Sequence, residues 1–528
     1  MPYPFSLMTR STSERSLTPN NRTKSRRTVL CQPSAERLET RELLSTFDWS
    51  DLETKQRRRI NNPQVLVEEA SPPVIALSSV SSSAPVIYPT TSSTTPWVNV
   101  TDTSTAGLYD GGNVIVIDKQ GRAISIGGEA DATAGTPYPG SSFKVVRYGA
   151  DATLDASYNG TGVKVVANTG SDFTGTIQPA DQKIVAAGRN NQGYLTLARL
   201  NPDGSNDSSF GNQGVVTVTT IGVPNTTPGA PGAANARGIA IDGQSRILVA
   251  GDPAQWSPSA GVFSRDFMVA RFTSNGALDK TFNRKGYATL DFQGHHDYAS
   301  SVVAQPDGKI VAGGFSYTSG SGATFGHYSS VLARYNANGT LDSSFGSGGV
   351  VIANLPGSAD DSINNLALDG SGKIVAAASF ATTPGGSHQP MVVRYNSNGT
   401  LDTTFNGTGS AVIPTPSMPV SYGGVSIALY KAADGSQKIV EGLGAGSSNA
   451  SADFGLAQLN ADGTLDTSFG GTGVVFQDLN AGQGDQLRSI AIAQLVDGPR
   501  IYATGNAQRA SVDTITARFR VDGSLDSV

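Results

Sequence analysis

A fifteen-residue phrase returns along this chain, and its return limits the possible folds more than any other feature. "LNPDGSNDSSFGNQG" (200–214) recurs as "FTSNGALDKTFNRKG" (272–286), "YNANGTLDSSFGSGG" (335–349), "YNSNGTLDTTFNGTG" (395–409) and "LNADGTLDTSFGGTG" (459–473). A degenerate copy, "YGADATLDASYNGTG" (148–162), precedes them, and a shortened one, "FRVDGSLDSV" (519–528), follows. The shared aspartates are Asp155, Asp207, Asp279, Asp342, Asp402, Asp466 and Asp526, spaced 52 to 72 residues apart. Seven units of about 60 residues result.

Each unit has one internal order. In the fourth it reads "YATLDF", "SVVAQPDG", "KIVAGG", a variable loop, then "VLARY" and an Asn-Gly turn. These are four short segments rich in β-branched residues, punctuated by Asx-Gly turns, as antiparallel strands require. Four strands repeated seven times describe an all-β, seven-bladed β-propeller of four-stranded antiparallel blades. An open β-solenoid is the alternative, but its coils are usually shorter than this unit. Either "WVNV" (97–100) or "NVIVID" (113–118) is placed to close the ring with the last copy, hiding edge strands that would otherwise pair with other chains.

The composition agrees. Charged residues are 15% and aromatics 7%, with 62 Gly and 27 Pro, which fits many strands joined by tight turns. A net charge of -5 gives no reason to expect nucleic acid. One cysteine, Cys31, excludes disulfide scaffolds and cysteine zinc sites, and four histidines argue against a histidine-rich metal centre. No apolar run approaches the ~18 residues of a membrane helix. Residues 1–60 are basic and helix-compatible, a disordered or partly helical segment of targeting type. Residues 61–105 form a Ser/Thr/Pro-rich linker, and the repeat domain occupies 106–528.

The unit "QPDGKIVAGG" followed by "VARYN-x-DG-x-LD-x-SFG-x-x-G" resembles the delta-60 repeat of bacterial surface and secreted proteins, most closely over Val303–Gly314 and Leu332–Gly349. That resemblance implies a β-propeller module without an established enzymatic activity, and it supplies no catalytic residues. The first unit departs most, lacking the N-x-D-G turn. "PSAERLETRELLSTF" (33–47) resembles the LEPR/LEDR-LLS motif near the start of exported bacterial proteins, through Leu38, Glu39, Arg41, Leu43, Leu44 and Ser45, with Thr40 departing from it. It implies a secreted or cell-surface location. The twin arginines Arg26 and Arg27, and Cys31, lack the apolar stretch that a twin-arginine or lipoprotein signal needs.

Most candidate site residues recur, and recurrence points to scaffold. Arg147, Arg199, Arg271, Arg334, Arg394 and Arg518, with Gln458 in the sixth unit, stand eight residues before the motif aspartates across a tight turn, so ion pairs are expected. The aromatics Tyr158, Phe210, Phe282, Phe345, Phe405 and Phe469 read as core between blades. Asn201, Asp203 and Asp207, or Asn460, Asp462 and Asp466, resemble calcium-loop spacing, but the closing Glu is absent and Asx-Gly turns explain them without an ion. Asp172, Asp297, Asp361 and Asp485 each stand five residues ahead of an apolar strand residue. They are either strand-entry caps or a set converging on one end of the channel, able to attract calcium or another cation. His295 and His296 beside Asp297, near His327, are a further metal candidate. No cofactor is required.

Function is expected where the units differ. The variable loops hold Tyr138, Trp256, Phe263, Phe315, Tyr317, Phe325, His327, Tyr328 and Phe380, which form either a recognition rim or packing of the loops onto the scaffold. No nucleophile elbow, zinc motif or phosphate loop occurs. The expectation is a monomeric, non-catalytic binding scaffold for a protein, glycan or surface polymer. The alternative is a hydrolase or lyase acting on a saccharide or lactone in the channel.

Overall fold

The computed structural model describes residues 95–528 apart from 102–108, 131–141, 167–168, 170, 191, 222–233, 258–261, 293, 319–325, 354, 356, 416–421, 446–452, 481–482 and 509–511. The targeting-like segment, the export motif and most of the linker lie outside the described residues. Among those described there is no helix, and none is long and apolar enough to cross a membrane.

Strands are numbered in chain order from β1 (Val98–Thr101). Blade I holds β2 (Tyr109–Ile117), β3 (Ala123–Ala130), β4 (Ser142–Arg147) and β5 (Val163–Val166). Blade II holds β6 (Ser171–Ile177), β7 (Ile184–Arg189), β8 (Leu195–Leu200) and β9 (Val215–Val218). Blade III holds β10 (Ala234–Ile241), β11 (Ile247–Ser257), β13 (Phe267–Phe272) and β14 (Tyr287–Leu290), with β12 (Val262–Arg265) paired to the end of β11. Blade IV holds β15 (His296–Ala304), β16 (Ile310–Thr318), β17 (His327–Tyr335) and β18 (Val350–Ala353). Blade V holds β19 (Asp360–Leu368), β20 (Ile374–Ala381), β21 (Gln389–Tyr395) and β22 (Ser410–Val412). Blade VI holds β23 (Tyr422–Lys431), β24 (Gln437–Ala445), β25 (Phe454–Asn460) and β26 (Val474–Gln477). Blade VII joins β27 (Asp485–Leu495), β28 (Gly498–Gln508) and β29 (Val512–Arg520) to β1.

The first strand of each blade packs against the first strand of the next, and β2 against β27 completes the circle. The second and third strands are buried on both sides between neighbouring blades, so "IVA" and "VLA" read as apolar runs without polar alternation. The expected seven blades are present. The phase of the unit differs by one strand: "YATLDF" supplies the outermost strand of blade III, and blade IV begins at β15. The repeated phrase therefore joins third to fourth strand within a blade.

Closure falls to the first of the two expected segments. Val98–Thr101 pairs antiparallel with β29, from Val98 opposite Ala517 to Thr101 opposite Thr514. "NVIVID" belongs instead to β2, the inner strand of blade I. The propeller thus takes in residues that composition assigned to the linker. Trp97 stands in for the aromatic missing from the shortened last copy: its N–H donates to the Asp526 carbonyl at 2.8 Å, as Phe210 N–H donates to Asp207. The Arg518 guanidinium lies 5.3 Å from its ring, as Arg199 lies 4.5 Å from Phe210.

Every inner strand carries a register shift at the same place, for example between Ala299 and Ser301 in β15 and between Leu487 and Ser489 in β27. The bulge sharpens the strand twist and turns a carbonyl toward the second strand. This explains the second glycine of "KIVAGG". A Cβ on Gly314 would lie 1.8 Å from the Tyr298 carbonyl oxygen, and Gly127, Gly251 and Gly505 meet the same obstacle.

Candidate functional site

The topology divides the chain between two faces. One, the motif face, carries the turns between first and second strands and the repeated phrase between third and fourth. The other, the loop face, carries the variable connections between second and third strands and the entries to the inner strands. Register places Asp297 opposite Ser316 and Asp361 opposite Phe380, so the strand-entry aspartates and the variable loops share a face.

On the motif face the expected ion pairs form at 2.6 to 2.8 Å: Arg147–Asp155, Arg199–Asp207, Arg271–Asp279, Arg334–Asp342, Arg394–Asp402 and Arg518–Asp526. Each guanidinium also reaches the next blade. Arg147 donates to the Pro202 carbonyl, Arg271 to Ala337 (both 2.6 Å) and Arg394 to Ala461 (2.5 Å), while Arg199 and Arg334 contact Ser274 and Ser397. In blade VI, Gln458 keeps the bond to Asp466 at 2.9 Å and accepts one from Tyr430.

A second cation shares each aspartate and escaped the sequence reading: Arg122, Lys183, Arg246, Lys309, Lys373, Lys438 and Arg500, at 2.7 to 3.7 Å. Its signal was the basic residue opening every "KIVAGG". Burial works against ionisation of Asp207 and Asp402. Hydrogen bonds from Ser209 and Lys183, and from Lys373, Thr404 and Arg394, outweigh it and hold both carboxyls well below the usual range. The calcium-like oxygens are engaged locally. Asp203 accepts from Ser205 N (2.9 Å) and Oγ (2.7 Å), and Asn338, Asn398 and Asp462 bond Thr340, Thr400 and Thr464 in the same way.

On the loop face the strand-entry aspartates are buried and cap the crossover from the preceding blade. Asp297 accepts from Phe292 N (2.7 Å) and Asp485 from Leu479 N (2.8 Å). Asp361 accepts from Ser330 N (2.7 Å), Leu355 N (3.0 Å) and Ser358 Oγ (2.5 Å). Burial pushes both Asp297 and Asp485 up to about 7. The side chain of Asp172, in β6, lies outside the described residues. Among the described residues no group of three or more His, Cys, Asp and Glu is placed to hold a metal ion.

The expected rim divides. Tyr138 and Phe325 lie outside the described residues, as do the side chains of Trp256 and Phe263, whose backbones pair in the β11–β12 hairpin. Phe380 is only 5% exposed and belongs to the core between blades IV and V, so it is packing and presents nothing to a ligand. Phe315, Tyr317 and Tyr328 come together. Tyr298 stacks on Phe315 with centroids 4.7 Å apart, Phe315 meets Tyr328 edge-on at 5.6 Å, and Tyr317 lies 4.6 Å from Tyr328. The Arg237 guanidinium covers Tyr298 at 5.0 Å, and His388 of blade V meets Tyr328 at 6.3 Å. All these rings are half-buried, and the strip runs from blade III to blade V. Asp252, buried, anchors Arg237 and also accepts from Arg265 (2.5 Å) and Asn235 (2.9 Å). Tyr298, Arg237 and His388 were missed because the strip is assembled between blades and has no spacing to read.

His327 lies at the blade V edge of this region. Its Nδ1 is 2.8 Å from Asp360 Oδ1 and its Nε2 is 3.2 Å from Ser329 Oγ. All four histidines of the chain are on this face, in blades IV and V.

Residues 180–210, 260–282, 305–345, 370–405 and 439–469 match the family model described as "Domain of unknown function (DUF5122) beta-propeller". The chain folds as a β-propeller, and these five segments of it match that model. No curated protein matches the propeller's sequence. Solved structures similar to it include Drosophila Plexin A in complex with Semaphorin 1b, at 11% identity over 80% of this chain and 87% of that one, TM-score 0.40. Hydrazine synthase of Kuenenia stuttgartiensis is 15% identical over 64% of this chain and 43% of that one, TM-score 0.35. The endo-arabinase of Bacteroides thetaiotaomicron is 11% identical over 58% and 99%, TM-score 0.28. None of these likenesses carries an activity to this chain.

Proposed function

We propose that the protein is an exported or surface-displayed binding propeller that holds a glycan, surface polymer or protein against the aromatic strip of its loop face. The strip carries this reading. Four half-buried rings touch one another across β15, β16 and β17, and Arg237 and His388 sit at its two ends. Rings already fixed by one another offer flat apolar area at little entropic cost, and the tyrosine hydroxyls can exchange hydrogen bonds with a hydrated partner.

The full chain on an array of immobilised glycans tests it, with Tyr317→Ala and Phe315→Ala in parallel. The expected result is retention on a defined saccharide class, weakened about tenfold or more in each variant while the melting temperature holds. Retention that is equal in all three proteins would remove the strip as the binding surface. Binding to a purified surface protein with the same loss in the variants supports the protein arm. Export rests on the resemblance of residues 33–47 to an export motif; fractionation of a tagged full chain tests it.

A further inference from the structure

Three side chains at the junction of blades IV and V stand in an order that no other blade shows among the described residues. Asp360 opens β19 and is buried, with both oxygens held: Oδ1 accepts from Tyr328 N at 3.1 Å and Oδ2 from Gly385 N at 2.6 Å. A carboxylate fixed in this way can only accept, so His327 Nδ1, 2.8 Å away, carries the proton. The other ring nitrogen is then a bare acceptor, and the group facing it is the Ser329 hydroxyl at 3.2 Å. His327 and Ser329 alternate with Tyr328 along β17, so both point to the same side of the strand. The His327 side chain is 42% exposed while its carboxylate partner is fully buried. A ligand therefore reaches the hydroxyl and the imidazole without reaching the group that orients them.

The structure is asymmetric here. The positions equivalent to His327, counted back from the repeated arginine, are Gln192, Ser264 and Ser387 in blades II, III and V, and no blade but IV has a histidine there. The scaffold pairs recur because the fold needs them in each blade. This set occurs once, so the fold does not need it.

We propose that Ser329, His327 and Asp360 form a hydrolytic triad that cleaves carboxylic esters, which goes beyond the binding reading and uses none of the strip's ring contacts. Ser329 Oγ attacks the ester carbonyl carbon while its proton passes to His327 Nε2. The tetrahedral intermediate collapses with rupture of the carbon–alkoxy bond, and the leaving alcohol takes that proton from His327. Water, deprotonated by the same nitrogen, attacks the acyl-serine, and the carboxylic acid leaves as Ser329 recovers its proton. Esters are the class because an alkoxide leaving group asks less of the general acid than an amine does. Ser329 and His327 are the catalytic residues. Asp360 is a positioning residue, holding the imidazole in the tautomer that accepts the serine proton.

The test treats the full chain with a fluorophosphonate and locates the adduct by intact mass and peptide mapping, with p-nitrophenyl acetate hydrolysis followed alongside. The expected result is one adduct, on Ser329, absent from Ser329→Ala and formed about 10²–10⁴-fold more slowly in His327→Gln. Both variants change half-exposed side chains and should melt with the wild type. In Asp360→Asn labelling at Ser329 slows while the KM for p-nitrophenyl acetate holds, because the imidazole has lost the group that fixes its tautomer. No adduct, an adduct on another residue, or equal labelling of wild type and His327→Gln would overturn the triad. Loss of glycan retention with labelling intact would sink the binding reading and leave this one standing.

Discussion

On the motif face Arg334 meets Asp342 eight residues further along, and five other blades repeat the pair at 2.6 to 2.8 Å. On the loop face His327 meets Asp360 thirty-three residues further along, and no other blade has a histidine at that position. The first contact is local, identical from blade to blade and tied through a carbonyl to the neighbouring turn, so it sets blade spacing. The second joins two different blades through side chains that occur once. The motif face repeats one contact that holds the ring and the loop face does not, so the two faces should respond differently to the same kinds of change.

The largest difference is expected from aromatics. Phe345→Ala empties a fully buried site between blades IV and V and should cost about 3–5 kcal/mol, read as a lower denaturant midpoint. Ligand retention below the new melting point should be unchanged.

Arg271→Met should cost a similar amount, about 3–5 kcal/mol, because it leaves Asp279 buried and lacking its nearer cation. Blade VI sharpens this prediction. Gln458 already serves there without a guanidinium, so Gln458→Met should cost clearly less under the same urea titration, since the aspartate keeps Lys438 at 2.7 Å. Equal losses at the two sites would mean that the ion pair is not what holds the turn.

The two faces also carry opposite pH dependence. Burial pushes Asp297 and Asp485 up to about 7, so the native state keeps protons that the unfolded chain gives up near 4. Their contribution is complete below that pH and is lost as pH rises through 7. The depressed carboxyls of Asp207 and Asp402 contribute above about 4 and lose that contribution as pH falls. Urea midpoints from pH 3 to 8 should therefore fall on both sides. Asp297→Asn should reduce the alkaline limb alone, by about 4 kcal/mol, and leave the share of Asp485. An unchanged alkaline limb in that variant would place the titration elsewhere.

The smallest stability effect belongs to the strip. Tyr317→Ala removes a half-buried ring and should shift the midpoint by less than about 1 kcal/mol while still weakening retention of a ligand. A large stability loss would make the strip part of the scaffold.

What a linear reading could see follows the same division. The motif face was open to it because Arg147 and Asp155 are eight residues apart and six further units repeat the arrangement, one with glutamine for the arginine. The phase of the blade was not. Nothing local says that β14 ends one blade while β15 begins the next, because the repeat looks the same from either starting strand. The loop face was visible only as composition. Phe315 and Phe380 occupy similar places after "KIVAGG" and "KIVAAAS", yet one ring is half-buried in the strip and the other closes the core. Asp361 was singled out and Asp360 passed over, although both accept from backbone amides of β17, Asp360 from Tyr328 N and Asp361 from Ser330 N. Contacts between blades depend on seven-fold closure, and no spacing within one unit records them.

The closing strand has a consequence for synthesis and assembly. Val98 and its partner Ala517 are more than 400 residues apart, so β1 emerges from the ribosome long before the edge it completes exists. Until then Trp97 has no pocket, and the finished β29 offers a row of unpaired amides to whichever strand arrives first. A second chain can supply that strand with the same register and the same indole beneath Arg518, giving a strand-exchanged pair whose blades are each complete. Dilution during refolding selects the single ring, and crowding on a polysome favours exchange.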